Sequence, residues 1–217
     1  MFERIFGIGQ GSTLIDAAFG DISSMLHQGH DMMQLSVKAL LGNEPLQVDI
    51  DQMDDRLDES ERMVRRTVLQ HLTVNPQQDL VASLVLVSMV QDAERIGDFA
   101  NGLVEMAKLA RSPRTGPFAE RLQVIADRIA PLFESCERSF RKDDPQGAKR
   151  IISEHREVRE ELRQYAADVA ASDLSADMAV VYAGSAGMLR RISAHLANIS
   201  SSVVMPYDQI RHGDEDA

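Results

Sequence analysis

Tryptophan is absent from the 217 residues, and aromatic side chains make up only 5% of them. A core without large rings has to be filled by Ala, Leu, Val, Ile and Met, a set that suits helices packed on helices. Cysteine is nearly absent too. The single Cys136 excludes an internal disulfide and any cysteine-rich zinc site. It stands in an apolar-periodic segment, so it reads as a small core residue and not as a nucleophile, and the cytosol is the expected compartment. No apolar run reaches the roughly 18–20 residues that a membrane-spanning helix needs; the longest, Leu80 to Val90, has the length of a core helix. The opening MFERIFGIGQGS lacks the form of a signal peptide. Basic residues are in deficit, 23 against 34 acidic ones, for a net charge of −11. That excludes nonspecific nucleic-acid binding, which needs clustered Lys and Arg, and argues against a basic membrane-surface helix. It suits cations, or a basic patch on a protein partner.

What is present is helical period. The first segment runs from about Ser12 to Leu41, with Leu14, Ala17, Ala18, Ile22, Met25 and Leu26 three and four apart. Gly42 just past its end and Pro45 beyond close it. The second runs from about Asp49 to Leu72, with Ile50, Met53, Leu57, Val64, Val68 and Leu72 on one face. The third, about Gln77 to Ala110, is the most apolar of the three and belongs at the centre of its bundle. RSPRTGP, Arg111 to Pro117, has two prolines, a glycine and no apolar residue other than these, and is the one clear linker. The pattern then restarts. A fourth helix spans about Phe118 to Lys142, with an interruption or bend expected at Pro131. Asp144 before Pro145 reads as an N-cap with proline at the first helical position. The fifth helix runs on to about Ala171, and the sixth from about Ser175 to Val204. The tail HGDEDA is polar and reads as disordered.

Three helices, a linker and three helices again suggest two copies of one unit. AERIGDFANGL (Ala93 to Leu103) lines up with LRRISAHLANI (Leu189 to Ile199). The expected fold class is therefore all-α, two tandem antiparallel three-helix bundles, with units at 12–110 and 117–206.

The chemistry-bearing pattern is a set of carboxylates. Glu94 and Asp98 lie four apart, hence one turn apart on one helix face, and Asn101 and Glu105 continue their stripe. Asp54 and Asp58 form a matching pair on the second helix, with Asp51 before and Glu61 after. Two such pairs facing each other repel unless something positive sits between them. A hard or borderline cation fits, since oxygen ligands suit Mg, Ca, Mn and iron. The plainer account is a wet acidic face with Arg56, Arg62 and Arg95 as pairing partners. Histidines do not reinforce a di-iron site: none of His27, His30, His71, His155, His195 or His212 lies three after a glutamate. His195 reads as a packing or capping residue. GIGQGS, Gly7 to Ser12, lacks the Lys of a phosphate loop and reads as a flexible lead-in. No nucleophile stands beside a base, so an enzyme is not expected.

AERIGDFANGL resembles the signature of PhoU domains, roughly Leu-Glu-Arg-Ile-Gly-Asp-His-Ala-x-Asn-Ile. NPQQDL (Asn75 to Leu80) resembles the turn that opens the helix before it, and the Asp-x-x-x-Asp run of the second helix matches the same family. The resemblance implies tandem three-helix bundles acting as a non-enzymatic negative regulator of phosphate uptake and phosphate homeostasis. It implies contact with a phosphate transporter subunit and a sensor histidine kinase, no nucleic acid, a cytoplasmic place at the inner face of the membrane, and a homodimer. It also implies metal, iron or zinc or another divalent cation, and its motifs carry over to Asp54, Asp58, Glu94 and Asp98. The sequence departs where the signature His is Phe99, and where Arg190 and Ala194 replace the Glu and Asp in the second half. The fifth helix keeps Glu154, Glu157 and Glu161, but its partner has lost the pair. These departures suggest a divergent branch, serving a sodium–phosphate symporter. The rival classes are a carboxylate-bridged metalloenzyme and a histidine-phosphotransfer bundle, with phosphate on His30 or His195.

Overall fold

The structure, a computed structural model, describes residues 13–43 and 48–211. The glycine-rich lead-in, His212 and the tail after it lie outside the described residues. Six long helices follow in order: α1 (Thr13–Gly42), α2 (Ile50–Val74), α3 (Leu80–Leu109), α4 (Pro117–Lys142), α5 (Pro145–Ala170) and α6 (Ala176–Val204), then a 3-10 turn, Tyr207–Gln209. Among the described residues there is no strand.

Local chemistry sets the boundaries. Asp49 accepts from the Gln52 amide at 3.1 Å and caps α2. Asp144 accepts from the amides of Gln146 and Gly147, with Pro145 following it in the first turn of α5. Those amides hold the Asp144 carboxyl below the usual range. α1 ends one residue later than expected: Gly42 is still helical, and Asn43 takes the left-handed conformation at φ 57°. The linker then closes this end. Arg114 donates from its backbone to Asn43 Oδ1 at 2.7 Å, and from its guanidinium to the carbonyls of Leu40 and Ala39, taking up two of the orphan acceptors of the helix C-terminus. Pro131 does not interrupt α4, which runs through it.

α1, α2 and α3 pack on one another, as do α4, α5 and α6, and the triplets join through α3 on α6 and α1 on α4. α2 and α5 therefore lie on the outside. One continuous core results, with Met25, Met32, Met89, Leu103, Phe133, Leu189 and Leu196 all close to full burial. The α3–α6 seam is tight. A Cβ at Gly184 would stand 2.5 Å from Met106 Sδ, so a side chain there would push Met106 out of its seat. No helix is long and apolar enough, among the described residues, to cross a membrane.

Candidate acidic groove between the second and third helices

Gly97 lets α2 and α3 approach closely. A Cβ there would meet Leu57 Cδ1 at 2.4 Å and Asp54 Oδ1 at 3.0 Å. Leu57 is fully buried in that gap, and its helix neighbours one turn away on either side bring the acids to the rim. Asn101 bridges the helices, donating to Asp51 Oδ1 at 3.0 Å and to Asp54 Oδ2 at 3.2 Å. The sequence pairs Asp54/Asp58 and Glu94/Asp98 thus line one seam and not opposite sides of the bundle.

Their electrostatics confirm the proximity. Burial pushes the Glu94 carboxyl up to about 7, and the negative charges of Asp98, Glu61 and Asp58 add to it, against relief from Arg95. Asp54 is also raised, first by burial, then by Asp98, Asp58 and Asp51, with the Asn101 hydrogen bond opposing. The arginines of the seam point outward. Arg95 donates to Asp98 at 2.7 Å and Arg62 to Asp58 at 3.1 Å, and both guanidiniums are about half exposed. Arg65 pairs with Glu61 at 2.8 Å. Glu94 has only a looser contact, Arg95 Nε at 3.7 Å, and Asp54 has the Asn101 amide. Asn101 Oδ1 is buried with no hydrogen-bond partner.

The donor types suit a cation: four carboxylates, among them Glu94 whose charged form is disfavoured, and the Asn101 amide oxygen without a partner. The side chains are not drawn around one point, however; among the described residues no three of His, Cys, Asp and Glu stand as a ligand set. Holding an ion with Asp54, Asp58, Glu94 and Asp98 requires Arg62 and Arg95 to release their partners.

The second bundle resolves the same problem internally. Glu154, Glu157 and Glu161 of α5 turn toward α4, where Arg128 lies between them. Its guanidinium donates to Glu154 at 3.0 and 2.5 Å, to Glu161 at 2.6 Å and reaches Glu157 at 3.5 Å. The face of α5 that meets α6 carries buried His155 instead, with Nδ1 2.9 Å from Ser193 Oγ. The acids that the sequence aligns with the first-half motif therefore have the wrong helical phase to face α6.

A further polar centre escaped the sequence reading. Asp92 on α3 is 2% exposed. Its Oδ1 accepts from His195 Nδ1 at 2.7 Å and Asn198 Nδ2 at 3.0 Å, and its Oδ2 from Arg211 Nε at 2.9 Å and Nη2 at 2.6 Å. His195, expected to pack or cap, is bound to an acid of the other bundle. The available signal was an acid inside the buried stripe Met89, Val90, Ala93 and Ile96. Cys136, as expected, is fully buried, and burial pushes its thiol up to about 12.

The arrangement of paired three-helix bundles is one that solved structures share. The chain is similar in fold to the phosphate transport system regulatory protein PhoU from Streptococcus pneumoniae (18% identity, 88% of this chain and 95% of that one, TM-score 0.74). It is similar to PhoU from Pseudomonas aeruginosa as well (17% identity, 88% and 95%, TM-score 0.79). No curated protein matches the sequence. Residues 22–107, a segment that contains the acidic seam, match the PhoU domain model.

Proposed function

We propose that this chain is a non-enzymatic regulator of phosphate transport. It acts by contact with a phosphate transporter, whether an ATP-driven transporter subunit or a sodium–phosphate symporter, or with the sensor histidine kinase that reports on it. The acidic seam is the working surface. It receives a divalent cation such as iron or zinc, held by Asp54, Asp58, Glu94 and Asp98, or a basic group of the partner. The observation that carries this reading is the contrast between the two bundles. Arg128 sits among the acids of α5, whereas at the α2–α3 seam Arg62 and Arg95 stay about half exposed and Glu94 is still held up near 7 despite Arg95 at 3.7 Å. We read 12–110 and 117–206 as two copies of one unit, of which the second has internalised its positive charge. The assembly is a homodimer on the cytoplasmic side.

Deleting the gene tests the regulatory reading. Phosphate uptake and phosphate-regulated transcription should both change, and be restored by the wild-type chain but not by Asp54→Asn/Asp58→Asn/Glu94→Gln/Asp98→Asn. Normal uptake and transcription in the deletion strain would end it. Elemental analysis separates the cation: metal content equal in wild-type and fourfold variant removes the metal and leaves the protein contact.

A further inference from the structure

We infer that His195 Nε2 is an acceptor site for a phosphoryl group, oriented by Asp92 and served by the Arg191 guanidinium. A carboxylate can only accept hydrogen bonds, so the 2.7 Å contact to Asp92 Oδ1 places the His195 proton on Nδ1. Nε2 then carries the lone pair, and it has no protein partner among the described residues. The ring is held from its face as well, stacked on Phe99 with centroids 5.5 Å apart and planes 17° from parallel. The side chain is 21% exposed, enough to admit a small reagent at its outer edge. Arg211 meets the other Asp92 oxygen twice, which fixes the carboxylate that orients the ring. In its neutral form the imidazole is thus a fixed nucleophile.

Arg191 makes the edge receptive to an anion. It lies one turn before His195 on α6, on the same face, with its guanidinium carbon 5.2 Å from the centroid of the Phe99 ring. It has no ion-pair partner among the described residues, although acidic residues outnumber basic ones in the chain. The other described histidines differ. His27 Nε2 faces the Glu137 carboxylate at 3.6 Å, which repels an oxyanion. His30 Nε2 is occupied by the Gln34 amide at 3.1 Å. His71 and His155 are buried.

In the transfer, the Nε2 lone pair forms a bond to phosphorus while the bond from phosphorus to the leaving group breaks. With a phosphoramidate as donor, the phosphorus–nitrogen bond breaks and ammonia leaves. The Nδ1 proton stays shared with Asp92, which stabilises the positive charge that builds on the ring. Arg191 meets the phosphoryl oxygens.

The inference stands apart from the acidic seam and from the regulatory reading, and its test uses the purified full chain without partner or metal. The protein is incubated with potassium phosphoramidate, and acid-labile phosphate is mapped by peptide mass and assigned to a ring nitrogen by phosphorus NMR. His195 should be modified at Nε2, about tenfold or more faster than His27 and His30. Arg191→Gln, a surface change, should slow His195 alone and leave His27 and His30 as they were. Asp92→Asn should slow it too, with circular dichroism showing whether that variant keeps its helices. His195 reacting no faster than His27 or His30, reacting at Nδ1, or keeping its rate in Arg191→Gln overturns the inference.

Discussion

Glu94 gives the sharpest quantitative expectation. Its carboxyl stands at about 7 in the folded protein, against 4.5 for an ordinary glutamate, because the seam buries it beside Asp98. A group raised in the folded state holds its proton more tightly there than in the unfolded chain. Its favourable contribution is complete below about pH 4.5 and is lost as pH rises through 7. Two and a half pH units at about 1.4 kcal/mol each come to about 3.5 kcal/mol as an upper value. The side chain is only 14% exposed, so solvent removes little of this. Glu94→Gln keeps the shape and removes the charge. At pH 8 the variant should be about 2–3 kcal/mol more stable than the wild type, while at pH 4.5 the two should be nearly equal. The assay is urea unfolding followed by helical circular dichroism at pH 4.5, 6, 7 and 8. For a chain of this size the same difference appears as a melting temperature about 5–10 °C higher at pH 8. Adding zinc or manganese at pH 8 should narrow the gap by raising the wild type, since an ion between the carboxylates supplies what the substitution removes. Parallel pH profiles for the two proteins would refute the burial and crowding argument.

Other expectations follow from single contacts. Gly97→Ala places a methyl 2.4 Å from Leu57 Cδ1 and against Asp54, so it should cost about 1–3 kcal/mol in unfolding and alter any metal uptake; a variant as stable as wild type would show that α2 and α3 have room to part. Arg211→Ala leaves buried Asp92 without two charge-assisted hydrogen bonds. The guanidinium is about a third exposed, so the loss should be about 2–3 kcal/mol by denaturant titration, less than for a fully buried pair. Cys136, buried with its thiol pushed up to about 12, should stay silent to a disulfide-exchange reagent in the native protein and react on unfolding. Arg128→Gln should expose three glutamates to one another, lower stability by about 1–2 kcal/mol and raise divalent-cation affinity in the second bundle, as isothermal calorimetry would read.

The acidic seam was legible because its evidence is local. Four-residue spacing puts Asp54 with Asp58 and Glu94 with Asp98 on single helix faces, and the apolar stripes beside them, Leu57 and Ile96, decide that those faces border the same gap. The start of α5 was legible for the same reason: Asp144 acts on amides within three residues of itself. What escaped depends on partners far along the chain. Asp92 meets Arg211 across 119 positions and His195 across 103, so nothing near it in sequence announced a centre. Arg128 was missed through phase, since the fifth helix shows its glutamates to α4 rather than to α6, and a motif alignment records residue types but not directions. The two bundles carry similar helices and answer the same repulsion differently. One holds a guanidinium among its acids. The other leaves its arginines half exposed and buries Glu94 beside Asp98 on a seam narrowed by Gly97, which raises that carboxyl to about 7 and costs stability.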